Sequence, residues 1–517
     1  VQPLETASAA PRRRRGPRPH GLQVAAGVVV LVLLSPLVVV ALDAGHAGWS
    51  SVSGLLLRRR SLDLIGNTVE LAGTVAVAAA VLGAGAAVLL ERGGLPWRRL
   101  WSVLLVLPMA MPDFVVGFAW HSVWPRLSPL LAATAIMTLS TYPLVYLPVS
   151  AVLRRSNRTG EEIARGLGYS PVAVLVKVTL PSIRVAMAGG TLLAVLTVIS
   201  EYGAFEAVRF HTLTTEIFTE FQFDSNAAAA LSIPLLVLGL ACIGLDAAVP
   251  RRAAPPATAV ADRPRRWRWW TAVPVAGLAA VVAAGVLFPI GVLIYWMRVA
   301  RRTTLPAVTG LSDATASTFG YCTAGALAVV VLALPVAVLS VRHPSRWSRS
   351  VSAGAYLAHA IPGVIVALSL VYLAVNWMYP LYETPVLVVC AYVVLFFPLG
   401  LVCVRATVAQ VPMALIEVSH TLGRGPIYTF LRVTLPLVAP GLIAGFCLVF
   451  VTATTELTAT LLLAPPDVKT LATQFWAFQS ESAYSAASPY ALVIIAVAVI
   501  PGAVLGLWFD RSERSNR

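Results

Sequence analysis

From Glu162 to Pro181 the chain reads "EIARGLGYSPVAVLVKVTLP", and from Glu417 to Pro436 it reads "EVSHTLGRGPIYTFLRVTLP". The two stretches lie 255 residues apart, and each keeps a glycine six residues after its Glu and a Leu-Pro that ends nineteen after it. Both are too polar and too short to cross a membrane. Each offers helix-forming residues broken by Gly168 or Gly423 and closed by Leu-Pro before the next apolar run. This pattern predicts a helix, a turn and a second helix lying on a membrane surface. An ordinary amphipathic connecting loop would explain one copy. Two copies in register argue for a shared docking task, with glycine supplying the backbone freedom for the turn.

The rest of the chain is apolar. Of its 517 residues 58% are hydrophobic and 12% charged, and the mean hydropathy is +0.81. Such a balance fits a chain dissolved mainly in lipid, and runs such as Leu22 to Leu42 and Leu327 to Val341 recur throughout. About 20 apolar residues suffice for one helical crossing. The net charge of +15 does not point to nucleic acid, because the Arg residues sit in short clusters between apolar spans, where they set orientation. The five cysteines fall in apolar segments without a C-x-x-C spacing, so neither a disulfide framework nor a zinc site is indicated.

Crossings are expected near 22–42, 64–90, 99–121, 128–153, 184–205 and 227–248, then near 270–297, 317–341, 350–375, 385–404, 437–462 and 488–508. The reading is an all-α membrane protein of about twelve transmembrane helices in two six-helix halves, 22–248 and 269–509. A disordered basic tail (1–21) precedes them, a Pro-, Ala- and Arg-rich linker (249–268) joins them, and a short tail (510–517) follows. With the N-terminus inside, 29 of the 38 Lys and Arg residues fall in inner segments, so both termini are expected in the cytoplasm. Arg58, Arg59 and Arg60 are a local exception on the outer side.

The repeat extends beyond the quoted stretches. Pro143 and Pro398, Pro171 and Pro426, and Glu201 and Glu456 are also 255 apart, while Pro112 and Pro362 are 250 apart. An even number of crossings per unit makes the halves parallel, related by an axis along the membrane normal. The expected product is a pseudo-dimer with a central seam.

The spacing of Glu, Gly and Leu-Pro resembles the EAA loop of binding-protein-dependent ABC importer permeases. In that family the loop forms the coupling helices that sit in clefts of two cytoplasmic ATPase subunits. The resemblance carries this role to Glu162, Gly168 and Pro181 and to Glu417, Gly423 and Pro436. Glu162 is followed by Ile-Ala and Glu417 by Val-Ser, a departure from the motif's Ala-Ala. The two lysines, Lys177 and Lys469, both follow Val, so the chain carries no P-loop. The resemblance therefore implies no cofactor on this chain, with ATP and Mg on the partner ATPase, and a type I importer permease fold in a bacterial inner membrane. An extracytoplasmic binding protein would deliver the solute. Two halves fused in one chain, with "MAMPDFVVGFAW" and "HAIPGVIVALSLV" in equivalent helices, look most like ferric-iron permeases. Thiamine, aminophosphonate and polyamine permeases are the alternatives.

Glu201 and Glu456 are the candidate path residues. Each lies about 17 residues into its helix, roughly 25 Å from the inner face at 1.5 Å per residue. A carboxylate at that depth needs a cavity or a partner, and hard oxygen donors suit a ferric or other cation. The alternative is that both end their helices at the outer interface and hold the next loop by hydrogen bonds. Asp113 and Glu70 are weaker candidates without an acidic residue at the repeat-related position. His46, His121 and His211 show no ligand spacing. Tyr202, Phe205, Phe475 and Trp476 are expected to pack at the membrane interface.

Two rivals from other classes remain. A secondary transporter would also use parallel repeats, but it needs ion-coupling residues at mid-helix and has no use for duplicated docking loops. A membrane-embedded enzyme would need a catalytic constellation on facing helices at one depth.

Overall fold

In lipid an apolar run can satisfy its own backbone N–H and C=O groups only as a helix or in a closed barrel. The computed structural model describes residues 20–47, 49–155, 158–248, 272–299, 310–358 and 361–515, and among these every regular element is helical. The expected basic tail lies outside the described residues except for its last two, and the expected linker lies wholly outside them.

Nine helices among the described residues are long and apolar enough to cross a membrane. Two of the expected crossings are broken. The crossing near 99–121 is a pair, Arg98–Ala110 and Asp113–Val123, bent by 85°. Its counterpart near 350–375 is also broken, into Arg346–Leu357 and the 15-residue Gly363–Trp377. A proline explains both breaks, because the residue before proline is pushed out of the α region: Met111 is extended before Pro112, and Pro112 and Pro362 have extended ψ values of 130° and 145°. The last expected crossing, 488–508, lies within the helix Tyr484–Ser515. That helix continues to Ser515, so most of the expected 510–517 tail is helical.

Each half is organised around the same packing. Helix Arg59–Arg92 lies against Pro129–Arg155, which lies against Leu180–Ser200; in the second half Leu311–Arg342 lies against Pro385–Gln410, which lies against Leu435–Thr454. Lipid supplies no hydrophobic drive between helices, so close approach depends on small residues. A Cβ on Gly190 would stand 2.6 Å from the Leu144 carbonyl oxygen, and one on Gly83 would stand 2.6 Å from that of Tyr142.

The halves exchange their leading helices. His20–Ala47 packs on Leu311–Arg342, Arg346–Leu357 and Gly363–Trp377 of the second half, while Phe288–Val299 packs on Asp113–Val123 of the first. Each apolar core is accordingly mixed: Ala26 and Leu33 join Val329 and Ala367 in one, and Val286 and Leu293 join Phe114 and Ile136 in the other. The repeat reaches single hydrogen bonds. The Thr68 hydroxyl accepts from the Leu213 N–H at 3.0 Å, and its counterpart Thr318 accepts from the Leu471 N–H at 2.8 Å. Each of those bonds fixes the start of a helix with a capping box, on Thr212 and Thr470. Arg60, one of the arginines that break the charge rule, pairs with Glu216 at 2.8 Å.

Candidate functional site

The quoted stretches form two loops of one design. Helix Thr159–Gly166 closes with Gly168 at φ +83°, where the Tyr169 N–H donates to the Ala164 carbonyl (3.1 Å) and the Gly168 N–H to that of Arg165 (3.0 Å). Helix Met413–Thr421 closes with Gly423 at φ +72°, where Arg424 donates to Ser419 (3.1 Å) and Gly423 to His420 (3.0 Å). Both are Schellman closures, in which the left-handed position favours glycine.

Beyond each turn the expected separate second helix is corrected. It is continuous with the crossing, over Pro171–Ser200 and Pro426–Thr454. Pro181 and Pro436 therefore lie inside a continuous rod. A proline in a helix removes a donor and crowds the carbonyl four residues back. Those carbonyls belong to Lys177 and Arg432, and each lies in a five-residue π turn, Leu175–Thr179 or Phe430–Thr434, that widens the helix there.

Glu162 and Glu417 are both exposed on these loops. Around them the loops present matched apolar side chains, Ile163 and Val418, Leu167 and Leu422, Val172 and Ile427, all more than half exposed; Leu167 and Leu422 reach 73% and 72%. The residue just before Glu162 behaves differently. Glu161 is buried, and its Oε1 accepts from Arg92 Nε at 2.9 Å and from the Thr179 hydroxyl at 3.2 Å. Beside it the buried Glu91 accepts from the Ser150 hydroxyl at 2.5 Å and from Arg154 Nε at 2.8 Å, and it pairs with Arg98. Reading the sequence alone passes over Glu161 and Glu91. Their signal is an acidic residue beside basic ones, at the end of a span and again at the start of the loop.

The two rods leave the loops and converge at their far ends on one cavity of about 320 Å³. Both halves line it, largely through repeat-related pairs: Leu193 with Leu448, Thr197 with Thr452, Ser200 with Thr455, and Glu201 with Glu456. Glu201 Oε1 accepts from the Ala204 N–H at 2.8 Å, and Glu456 Oε1 accepts from the Ala459 N–H, also at 2.8 Å. Glu456 Oε2 takes the Thr460 N–H (3.1 Å) and hydroxyl (2.9 Å). Each carboxylate thus starts the short helix after it, Gly203–Ala207 or Thr458–Leu463, and also lines the cavity. Each carboxylate holds the segment after its helix by hydrogen bonds, and both face the shared cavity.

Asp113 is the third carboxylate on the wall. Its repeat-related position is Gly363, also on the wall, so the missing acidic counterpart that made Asp113 a weak candidate marks an asymmetry of the cavity. The repeat of Pro112 at Pro362 was the signal that located it. Glu70 does not line the cavity. Among the described residues no group of three or more His, Cys, Asp or Glu side chains is placed to hold a metal ion, His121 and His211 included, while the His46 side chain lies outside the described residues.

The aromatic residues expected at the membrane interface pack against one another and against neighbouring helices. Phe205 and Phe475 are buried, and Phe475 lies 5.4 Å from Phe114. Tyr202 stacks on Phe218 at 4.2 Å and lies 5.6 Å from Trp476. The contacts of Phe114 with Phe475, of Tyr202 with Trp476 and of Phe118 with Tyr484, the last at 5.1 Å, cross between the halves.

Comparison with known proteins agrees with this arrangement. A family model described as "Binding-protein-dependent transport system inner membrane component" matches twice, over residues 79–255 and 329–517. The chain is 34% identical over 484 residues to the Fe(3+)-transport system permease protein FbpB 2 of Haemophilus influenzae, covering 92% of this chain and 95% of that protein. It is 32% identical over 160 residues to the putrescine transport system permease protein PotI of Escherichia coli, covering 29% of this chain and 57% of that one. The molybdenum transport system permease protein ModB of Mycobacterium tuberculosis is 27% identical over 256 residues, 45% of this chain and 95% of that protein.

Proposed function

The chain belongs to the family of binding-protein-dependent transport system inner membrane components, and on that footing we propose that it passes ferric iron through the membrane for an ATP-driven importer. It is a multi-pass inner membrane permease. The observation that carries the substrate is the shared cavity, walled by Glu201, Glu456 and Asp113 with no Lys or Arg among its described lining residues. An anion such as molybdate would meet three carboxyl groups and no cationic side chain there, whereas a hard cation finds oxygen donors. The three carboxylates do not form a chelating cluster, which suits a path: a permeating ion must bind weakly enough to leave.

In this reading the paired loops are the contacts for two ATPase subunits. Glu162, Gly168 and Pro181 in one loop, and Glu417, Gly423 and Pro436 in the other, shape them. ATP and Mg sit on those partners and no cofactor on this chain. Loops and termini face the cytoplasm, and a binding protein meets the opposite end. ATP-bound closure must favour one arrangement of the halves over the other, because equal binding to both shifts nothing. The continuous rods give closure a rigid path from each loop to the cavity.

The same acidic and hydroxyl-bearing wall suits a polyamine, which favours putrescine-type cargo as the second reading. Uptake of radiolabelled ferric iron and of labelled putrescine into proteoliposomes holding the full importer separates them. Iron uptake driven by ATP supports the proposal. Uptake of putrescine alone, or of sulfate or molybdate, overturns it.

A further inference from the structure

Each paired loop is tied to its own half by a joint, and the repeat builds the two joints differently. In the first, Arg92 ends the helix Arg59–Arg92 and Thr179 lies in the π turn, and both donate to Oε1 of Glu161 at 2.9 and 3.2 Å. The Arg92 and Glu161 side chains are each 11% exposed. One carboxylate oxygen thus joins the loop helix, the end of one crossing helix and the start of the next.

At the repeat-related positions the second half has Arg342, Ile416 and Thr434. The arginine and threonine persist, and the carboxylate is gone. Arg342 turns to the carbonyls of Val408 (3.1 Å) and Val411 (2.8 Å) and to the Met413 sulfur. It therefore grips mainly the chain leading into the loop. The two helices of that loop are held to each other by a neutral hydroxyl pair, Ser419 with Thr429 at 2.7 Å.

Charge-assisted hydrogen bonds are roughly twice as strong as neutral ones, and breaking a buried ion pair strands a charge. The first loop cannot shift against the Arg92 end without dragging that helix or breaking the pair. Arg342 reaches the second loop's helix only through the Met413 sulfur, with no carboxylate in the joint. We propose that Glu161 is the positioning residue through which the first loop moves the two helices it joins, and that the second loop transmits less, so the two ATPase contacts are unequal. This rests on the reading of the loops as ATPase contacts.

The test uses the full chain assembled with its ATPase subunits and loaded binding protein in proteoliposomes. Three quantities are read: retention of the ATPase subunits through purification, stimulation of ATP hydrolysis by the binding protein, and uptake. Glu161→Gln is expected to retain the ATPase subunits and to lose about tenfold in stimulation and uptake, while Ser419→Ala in the second loop loses less than about twofold. The exchanged pair, Arg92→Glu with Glu161→Arg, is expected to recover stimulation above either single change because it restores the pairing, while loss of stimulation with the ATPase subunits retained is the readout a merely structural role would not produce. Normal stimulation in Glu161→Gln, equal losses in the two loops, or no recovery by exchange each overturns the proposal. Failure of the underlying reading looks different: Gly168→Val combined with Gly423→Val would leave ATPase subunits bound and fully stimulated.

Discussion

Glu201 and Glu456 stand 255 residues apart, yet each accepts a backbone N–H three residues on at 2.8 Å, and both line the same cavity. One side chain in each half therefore starts a helix and places a carboxyl group on a shared wall. Substitution can separate these roles. Glu201→Gln and Glu456→Gln keep an oxygen acceptor, so thermal unfolding in detergent should shift little while ferric-iron uptake falls about tenfold or more. Glu201→Ala and Glu456→Ala should lose the same uptake and also about 1 kcal/mol of stability through the lost cap. Wild-type uptake by both Gln variants would leave the carboxylates as caps alone.

Asp113 breaks the pseudo-symmetry of the wall, with Gly363 at the related position. Asp113→Asn should lower iron uptake, and moving the carboxylate across the axis with Asp113→Gly and Gly363→Asp should restore part of it. A Cβ on Gly363 meets its nearest neighbour, Glu456 Oε1, only at 3.7 Å, so the added side chain has room. Uptake measured on the three variants checks this; no recovery in the exchanged form would show that position matters as well as charge.

Gly168 and Gly423 have open space where a Cβ would go, so the demand on these positions comes from the backbone. An L-residue in the left-handed region costs roughly 1–2 kcal/mol, and Asn tolerates it best. Gly168→Asn should therefore keep most binding-protein-stimulated ATP hydrolysis, while Gly168→Val should lose it. Equal behaviour of the two variants would show that the turn's shape is unimportant.

Glu91 is 3% exposed and faces Arg98, Arg154 and Ser150. Arg98 and Arg154 are 42% and 49% exposed, so water solvates them once the carboxylate is gone, and the loss is about 1–3 kcal/mol. Glu91→Ala should show that loss as a lower unfolding temperature and a reduced yield of folded chain. An unchanged unfolding temperature would mean that the network contributes no net stability.

A Cβ at Gly190 would meet main-chain atoms at 2.6 Å, whereas at its counterpart Gly445 the nearest atom, Cys403 Cβ, is 3.3 Å away. Backbone yields less readily than a side chain. Gly190→Ala should destabilise the chain by about 1–3 kcal/mol and Gly445→Ala by less, readable as two unequal shifts of the unfolding midpoint.

Much of this was legible in one dimension. Apolar runs long enough to span lipid fixed the helices, and identical spacings of Glu, Gly and Pro revealed two parallel halves. The positive-φ glycines were readable because few other residues suit the left-handed position. The breaks at Pro112 and Pro362 were written as plainly, but a run of apolar residues reads the same whether continuous or broken, so the expected crossings there were too simple.

Composition and spacing alone determined that this chain lives in lipid, is helical and is built twice. Only tertiary structure decided that the leading helices are exchanged between halves, that Asp113 joins Glu201 and Glu456 on one wall, and that Glu161 rather than Glu162 is buried against Arg92. The reason is physical. Helix formation in a membrane is dictated locally, because each backbone group must find its partner within the same segment. Which side chains then meet depends on close packing between helices far apart in the chain, and no local pattern encodes that distance.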